Sequence, residues 1–226
     1  IFSNFNGTSA DVDVLTHEFG HSLQAYESRN MVLSEQGWPT AEAAEVHSMG
    51  MEYITYPWMP SFFGPDAVKY HYSHQTSQVT FLPYGALVDE FQHYVYANPT
   101  VSPAERKAEW RRLEKIYMPW IDYEDNAFLE KGSRWQRQAH IYGSPFYYID
   151  YCLAAIVAMQ IFLRAEEDRE KLWQDYLAIC KIGGKYAFLD ILKIGNFKNP
   201  FDEKVVGETL AGIKADIGSI DLGALN

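Results

Sequence analysis

Residues 16–26 read THEFGHSLQAY and combine two histidines, four residues apart, with a glutamate directly after the first. On a helix, positions i and i+4 lie on one face, so His17 and His21 can both direct an imidazole nitrogen at one metal ion. Glu18 is one position round the helix, beside that ion but off the axis of the ligands. This HExxH pattern is typical of zinc hydrolases, in which the glutamate is the general base. Because it fixes only three positions, a solvated helix with two incidental histidines is the alternative.

A third metal ligand is expected in the segment PTAEAAEVHSMGMEYIT, which carries Glu42, Glu45 and Glu52. Catalytic zinc needs three protein ligands and an open fourth position. Glu45 is far enough beyond His21 for a turn and an antiparallel return, and its alanine, valine and methionine neighbours indicate burial. Glu45 and Glu52 share a helix face, so one can bind the metal while the other orients a ligating histidine. Glu42 is a weaker ligand candidate, about 60° from Glu45 on a helical wheel. A solvated acidic face is the alternative.

Helical periodicity dominates the elements that must position these side chains. One helix is predicted to start at Asp11 or Asp13 and run to Tyr26, and a second is predicted from a Thr40 cap to just before Pro57. Five more helices are expected over residues 83–96, 103–117, 146–166, 168–182 and 202–217. A short edge strand is predicted over residues 78–82. The class is therefore mostly α.

Composition limits the classes of partner. The chain has 226 residues, of which 47% are hydrophobic, and a net charge of −11. Such an acidic chain is a poor candidate for nucleic-acid binding, which needs clustered Lys and Arg. The longest apolar run, residues 151–163, is interrupted by Gln160 and is too short to span a membrane, so no membrane association is expected. Cys152 and Cys180 are interpreted as buried free thiols in a reducing compartment, with a disulfide between them as the alternative. We expect a cytoplasmic protein.

Three segments carry a resemblance to a known family. THEFGHSLQAY, AEVHSMGMEYIT and the tyrosine-rich HIYGSPFYYIDYCLA, which begins at His140, resemble the oligoendopeptidase F and thimet oligopeptidase family of zinc metallopeptidases. Glu45, Ser48 and Glu52 match the Glu-x-x-Ser-x-x-x-Glu segment of that family. The similarity runs through the whole chain and corresponds to the catalytic C-terminal part of such a protein.

The resemblance implies one zinc ion per chain, bound by His17, His21 and Glu45, with Glu18 as the base and Glu52 behind the ligands. It also implies that His140 and tyrosines near it contact the substrate carbonyl. Tyr148 and Tyr151 are the tyrosines expected to make this contact, and Tyr142 and Tyr147 are the alternatives. The alternative for each ring is ordinary core packing.

The fold implied by the resemblance is the multi-helix catalytic lobe of a two-lobed, zincin-type oligopeptidase with a deep channel. Residues 1–226 would form one catalytic domain, and because the chain starts at Ile1 rather than Met we expect it to be a piece of a longer protein. The implied activity is zinc-dependent endopeptidase cleavage of short unstructured oligopeptides, since a closed channel excludes folded proteins. The oligomeric state is not predicted.

Two other functions are alternatives. A metal-dependent carboxypeptidase on a related helical fold has its third-ligand glutamate directly after a histidine, whereas here His47 comes two residues after Glu45. A non-catalytic helical binding domain with a vestigial motif would be expected to have lost at least one ligand, yet all of them are present.

Overall fold

The structure, a computed structural model, describes residues 1–225 except the side chains of Leu222 and Ala224. The helices, in chain order, are α1 Ser9–Glu27, α2 Ala41–Ile54, α3 Met59–Phe63, α4 Ala67–Ala97, α5 Pro103–Tyr117, α6 Ala127–Glu130, α7 Ala139–Gly143, α8 Tyr148–Ile182, α9 Phe188–Ile194 and α10 Glu203–Ser219. Short 3₁₀ turns lie at Ser34–Gln36, Tyr56–Trp58, Gly64–Asp66, Arg134–Arg137 and Leu222–Leu225. Residues 1–225 contain no strand, which confirms the mostly α class.

Capping residues set several helix starts. Thr40, Ser102 and Asp202 are the N-caps of α2, α5 and α10, as predicted. The predicted start of α1 at Asp11 or Asp13 is wrong, because Thr8 is its N-cap. The Asp11 carboxylate lies inside the first turn and accepts the backbone N–H groups of residues 6, 7 and 8 at 2.6–3.1 Å, which holds the segment that leads into the helix.

The predicted strand over residues 78–82 is also wrong, because α4 runs without a break from Ala67 to Ala97 with Pro83 inside it. Its polar first half is held by contacts to distant residues. For example, Gln75 donates a hydrogen bond to Asp216 of α10 at 3.0 Å. Tertiary contacts of this kind override a weak local preference.

The long helix α8 confirms the two helices predicted on either side of Asp168. Asp168 has non-helical angles (φ −153°, ψ 89°), and its carboxylate accepts the backbone N–H of Lys171 at 3.0 Å. By length and hydropathy alone α8 is long and apolar enough to cross a membrane, but most of its apolar window is buried inside the protein. Residues 154–162 of this helix have exposures of 6% or less, as expected of a core helix.

The chain forms two compact units. The first contains residues 1–79 and the residues from Leu153 onward, and its buried side chains come mainly from α2, both parts of α8 and α9. The second contains residues 80–152, and its core is formed by Tyr84, Leu87, Val88, Phe91, Trp110, Leu113, Met118, Trp135 and Tyr148. The assignment of residues 1–226 to one catalytic domain stays a prediction.

Candidate metal centre

The predicted metal ligands meet in the first unit, on α1 and α2. His17 and His21 lie one turn apart on α1, and Glu45 lies in the first half of α2. Nε2 of His17 is 3.2 Å from Oε2 of Glu45, and Nε2 of His21 is 3.5 Å from the same oxygen. The three ligand atoms lie within 4.8 Å of one another, and among the described residues this group contains Glu45 but not Glu42.

These separations suit a zinc ion. Atoms that share a tetrahedral zinc ion at 2.0–2.1 Å are about 3.3 Å apart, and two imidazoles with one carboxylate form a donor set that zinc accepts. Glu45 is 3% exposed, and Ser48 donates a hydrogen bond from its hydroxyl to Oε2 of Glu45 at 2.8 Å. The carboxylate is therefore held in place from within its own helix.

Glu52 lies behind His17, as predicted for a residue that orients a ligand. Nδ1 of His17 lies 2.7 Å from Oε1 of Glu52. Because an ionised carboxylate only accepts hydrogen bonds, the proton of a neutral His17 is on Nδ1, and the lone pair of Nε2 faces the ligand group. This is the arrangement by which carboxylates orient metal-bound histidines in other proteins.

The two carboxylates favour a positive charge at His17. Burial by itself lowers the pKa of the His17 imidazole, but the hydrogen bonds with Glu45 and Glu52 outweigh burial and raise that pKa to about 10. Burial raises the pKa of the Glu52 carboxyl, but the hydrogen bonds with His17 and His74 outweigh it and hold the pKa below its usual value. A position where anions surround the imidazole in this way favours a bound cation.

Glu18 directly follows His17 on α1, and its side chain is half-buried. Its backbone carbonyl accepts a hydrogen bond from Ser22 at 2.9 Å. Its position next to His17 in the sequence of α1 is the one expected of a general base, and this role stays a prediction.

His47, between Glu45 and Glu52 in the sequence, contacts a different part of the unit. Its side chain is fully buried, and its Nδ1 lies 3.6 Å from Sγ of Cys180. Tyr176 donates a hydrogen bond to its backbone carbonyl at 2.7 Å. Burial, with a smaller effect of His21, lowers the pKa of His47 to about 3, so this imidazole is neutral. These contacts tie α2 to the second part of α8.

The predicted substrate-contacting residues form a ring cluster in the second unit. The ring centroid of His140 lies 5.1 Å from that of Tyr148 and 5.7 Å from that of Tyr151, and the two tyrosines are 5.5 Å apart. Nδ1 of His140 lies 2.7 Å from Nε2 of Gln138, a side chain that accepts a hydrogen bond from Tyr84. The three predicted residues are therefore neighbours, and their role toward a substrate stays a prediction.

The alternative tyrosines have less specific surroundings. Tyr142 is 59% exposed and stacks on Trp135 at 5.7 Å. Tyr147 faces His140 at 6.0 Å. Burial raises the pKa of Tyr148 above its usual value, so its hydroxyl keeps its proton and can donate a hydrogen bond.

Sequence reasoning missed three residues around Glu52. Nε2 of His74 lies 2.7 Å from Oε2 of Glu52, Gln78 donates to the same oxygen at 3.1 Å, and Tyr56 contacts the other nitrogen of His74. No motif marks them. The only signal was the i, i+4 spacing of His74 and Gln78, and the expected strand at residue 78 obscured it.

Comparison with known proteins extends these observations. The model of peptidase family M3 matches residues 1–209. An oligoendopeptidase F homolog of Borreliella burgdorferi is 23% identical over 192 residues, which cover 81% of this chain and 32% of the relative. The solved structure of PZ peptidase A with inhibitor 2 is 51% identical, with a TM-score of 0.96, over 98% of this chain and 39% of its own. A Bacillus anthracis structure described as an oligoendopeptidase F is 49% identical, with a TM-score of 0.85, over 97% of this chain and 36% of its own.

The chain thus spans about a third to two fifths of the length of these relatives. The match covers most of the chain, from its first residue to the middle of α10, and includes every predicted site residue. The chain belongs to peptidase family M3.

Proposed function

We propose that the chain is the metal-binding part of a zinc-dependent endopeptidase that hydrolyses internal bonds of short, unstructured oligopeptides. The observation that carries this proposal is the convergence of His17, His21 and Glu45, whose ligand atoms lie within 4.8 Å of one another. Glu18 directly follows His17 on α1. Membership of a peptidase family supports the hydrolysis of peptide bonds. The names of two relatives, both oligoendopeptidases, support internal cleavage of short peptides.

His17, His21 and Glu45 would hold one zinc ion per chain. When bound, zinc supplies a Lewis acid that polarises the peptide carbonyl and makes water a better nucleophile at neutral pH. Glu52 holds the His17 imidazole at Nδ1, which leaves Nε2 free to bind the ion. Ser48 holds the Glu45 carboxylate in the same way.

Glu18 is the proposed general base. Its carboxylate accepts a proton from the water that attacks the peptide carbonyl, and it gives that proton to the departing amine. General acid–base catalysis of this kind typically contributes 10²–10⁴ in rate, so Glu18 would supply a large part of the acceleration. The mechanism needs no covalent intermediate with the protein.

His140, Tyr148 and Tyr151 are the proposed donors to the carbonyl oxygen of the substrate. Negative charge develops on that oxygen during attack, and a preorganised donor stabilises it, at a cost of about 10²–10³ in rate when the donor is lost. The protonated phenol of Tyr148 is suited to this role. The net charge of −11 supports a peptide substrate over nucleic acid, and we propose a cytoplasmic location.

The test is metal analysis combined with a cleavage assay. Purified protein is reconstituted with zinc, dialysed and analysed for metal, and then mixed with an internally quenched peptide blocked at both ends. About one zinc per chain and internal cleavage are expected. The His21→Ala variant should lose both. The matched control is His93→Ala, because the His93 side chain is 68% exposed and belongs to the second unit.

Three results would contradict the proposal in different ways. Absence of zinc after reconstitution would remove the metal centre. Trimming of an unblocked peptide from its C-terminus without cleavage of the blocked peptide would favour a carboxypeptidase. Bound zinc with peptide binding but no turnover, in a protein of full family length, would favour a non-catalytic binding domain.

A further inference from the structure

Both oxygens of Glu52 are held by side chains, and each oxygen has a different set of partners. Oε1 faces Nδ1 of His17 at 2.7 Å. Oε2 accepts hydrogen bonds from His74 at 2.7 Å and from Gln78 at 3.1 Å. His74 and Gln78 lie one turn apart on α4. Residues of α4 therefore bind the Glu52 carboxylate of α2, which in turn orients His17 of α1.

Glu52 and its partner His74 are deeply buried. The side chains of His74 and Glu52 are 3% and 6% exposed. A buried carboxylate must be compensated by hydrogen-bond donors, since water cannot solvate it fully. Without His74, Oε2 would lose its shorter hydrogen bond and keep the longer one from Gln78, and the carboxylate could turn away from His17.

The contact with Tyr56 selects a tautomer of His74. Its hydroxyl lies 2.5 Å from Nδ1 of His74. Burial raises the pKa of Tyr56 well above its usual value, so the phenol keeps its proton and donates a hydrogen bond to Nδ1 of a neutral His74. An imidazole that accepts at Nδ1 carries its own proton on Nε2, the atom that faces Glu52. The hydrogen bonds therefore run in one direction, from Tyr56 through His74 to Glu52.

We propose that His74 is a positioning residue of the metal centre, which through Glu52 holds the His17 imidazole in the tautomer and orientation that present Nε2 to the metal ion. This inference rests on the proposed zinc site. According to this inference, α4 supports the metal centre together with α1 and α2, the helices that carry the motifs. Tyr56 keeps the proton of His74 on Nε2, the atom that faces Glu52.

The experiment measures the zinc dissociation constant by competition with a chromogenic chelator. His74→Leu removes the donor. A polar cavity of about 300 Å³ borders Glu52 and His74. Leucine is used rather than alanine because water from this cavity could occupy the space that alanine leaves. His74→Gln restores an N–H donor near the position of Nε2. His71→Leu is the matched control, since His71 lies on the same helix but pairs with Asp216 at 2.7 Å.

Loss of a residue that hydrogen-bonds a metal ligand typically weakens metal binding about 10–100-fold, and loss of His74 would release Glu52, which is such a residue. We expect that loss for His74→Leu, recovery of at least half of it on a logarithmic scale for His74→Gln, and less than about a 2-fold change for His71→Leu. A merely structural role would lower the melting temperature of the metal-free protein without this selective pattern in zinc affinity. Equal zinc affinity in wild-type protein and folded His74→Leu would overturn the inference, as would an equal loss in His71→Leu.

If His74→Leu does not fold, Tyr56→Phe decides. This change removes one hydroxyl and leaves the ring, and zinc binding should weaken at least about 3-fold because His74 is free to turn its N–H away from Glu52. Unchanged affinity in Tyr56→Phe would then refute the inference. If the wild-type chain binds no zinc, the proposed metal centre itself is refuted. If the wild-type chain binds zinc and substitutions at position 74 do not change the affinity, only the role of His74 is refuted.

Discussion

Gly20 of α1 lies directly against the backbone of His47 in α2. A Cβ atom built on Gly20 would be 2.3 Å from the carbonyl oxygen of His47 and 2.7 Å from Cα of Ser48. Real Cβ atoms do not approach backbone this closely, so only glycine permits this crossing of the two helices. The glycine of the HEFGH segment thus sets the distance between the helix that carries two ligands and the helix that carries the third.

The first prediction is that Gly20→Ala weakens both the fold and the metal centre. The backbone atoms in contact belong to a buried helix and cannot move aside as a side chain would, so α1 must shift away from α2. Overpacking of this kind typically costs about 1–3 kcal/mol, and His17 and His21 would move relative to Glu45. Urea unfolding and a chelator competition assay for zinc measure the two effects.

Gly207→Ala is the control for this prediction. Gly207 lies inside α10, and a Cβ there meets no atom within 4 Å. Alanine in a helix interior is more favourable than glycine by about 0.5–1 kcal/mol, so this variant should be more stable and bind zinc normally. A Gly20→Ala protein that matches Gly207→Ala in stability and zinc affinity would show that the close crossing is unimportant.

The helices with local signals were predictable from sequence. Thr40, Ser102 and Asp202 are the N-caps of their helices, and Thr, Ser and Asp are residue types that favour this position. This preference depends only on neighbouring residues. The ligands His17 and His21 were identifiable for the same reason, since helical spacing alone places them on one face.

The contribution of α4 was not predictable in this way. His74 and Gln78 lie in a polar stretch, HYSHQTSQ, that has no apolar stripe and is followed by Pro83. Their helical state and their role depend on the buried carboxylate of Glu52, which is distant in sequence. Local preference is too weak to show such a partner, so the residues behind the ligands emerged only from the structure.

The second prediction concerns Glu18. Glu18→Gln keeps the size of the side chain but removes the proton acceptor, so cleavage of the blocked peptide should fall by about 10²–10⁴ while zinc content stays near one per chain. The matched control is Glu42→Gln, because Glu42 lies in the first turn of α2 and outside the ligand group. Normal turnover in Glu18→Gln would eliminate Glu18 as the base, and loss of zinc in Glu42→Gln would reopen the choice of third ligand.

The third prediction concerns the two cysteines, which are free and buried as the sequence indicated. Burial raises the pKa of both Cys152 and Cys180 to about 12, so almost no thiolate exists at pH 8 in the folded protein. Since the thiolate is the reactive form, an aromatic disulfide reagent should label neither thiol quickly in native protein and both in denaturant. Rapid labelling of one thiol per chain in native protein would show that the structure around that cysteine opens readily. The Cys152→Ser and Cys180→Ser variants identify which cysteine is labelled.

The last prediction is a pH-dependent contribution to stability from Asp175 in the second part of α8. Its side chain is 7% exposed and accepts hydrogen bonds from Lys171 and Arg164, and also from Asn196 at 3.2 Å. Burial raises the pKa of the Asp175 carboxyl, but the hydrogen bonds from Lys171 and Arg164 outweigh burial and hold that pKa below its usual value.

A carboxyl whose folded-state pKa is lowered stabilises the protein above its unfolded-state pKa of about 3.9, and this stabilisation is lost as the pH falls through the folded-state value. At pH 7 Asp175→Asn should therefore lower the free energy of unfolding by about 1–3 kcal/mol. The difference between wild type and variant should narrow between pH 5 and pH 3 as the carboxylate is protonated. Urea unfolding at pH 7, 5 and 3 measures this difference in the free energy of unfolding.

Asp190→Asn is the matched control, because Asp190 and its partner Lys193 are 54% and 76% exposed and such surface pairs contribute less than about 1 kcal/mol. A difference for Asp175→Asn that stays constant from pH 7 to pH 3 would mean that the charge of Asp175 does not stabilise α8, and that only the shape of its side chain does.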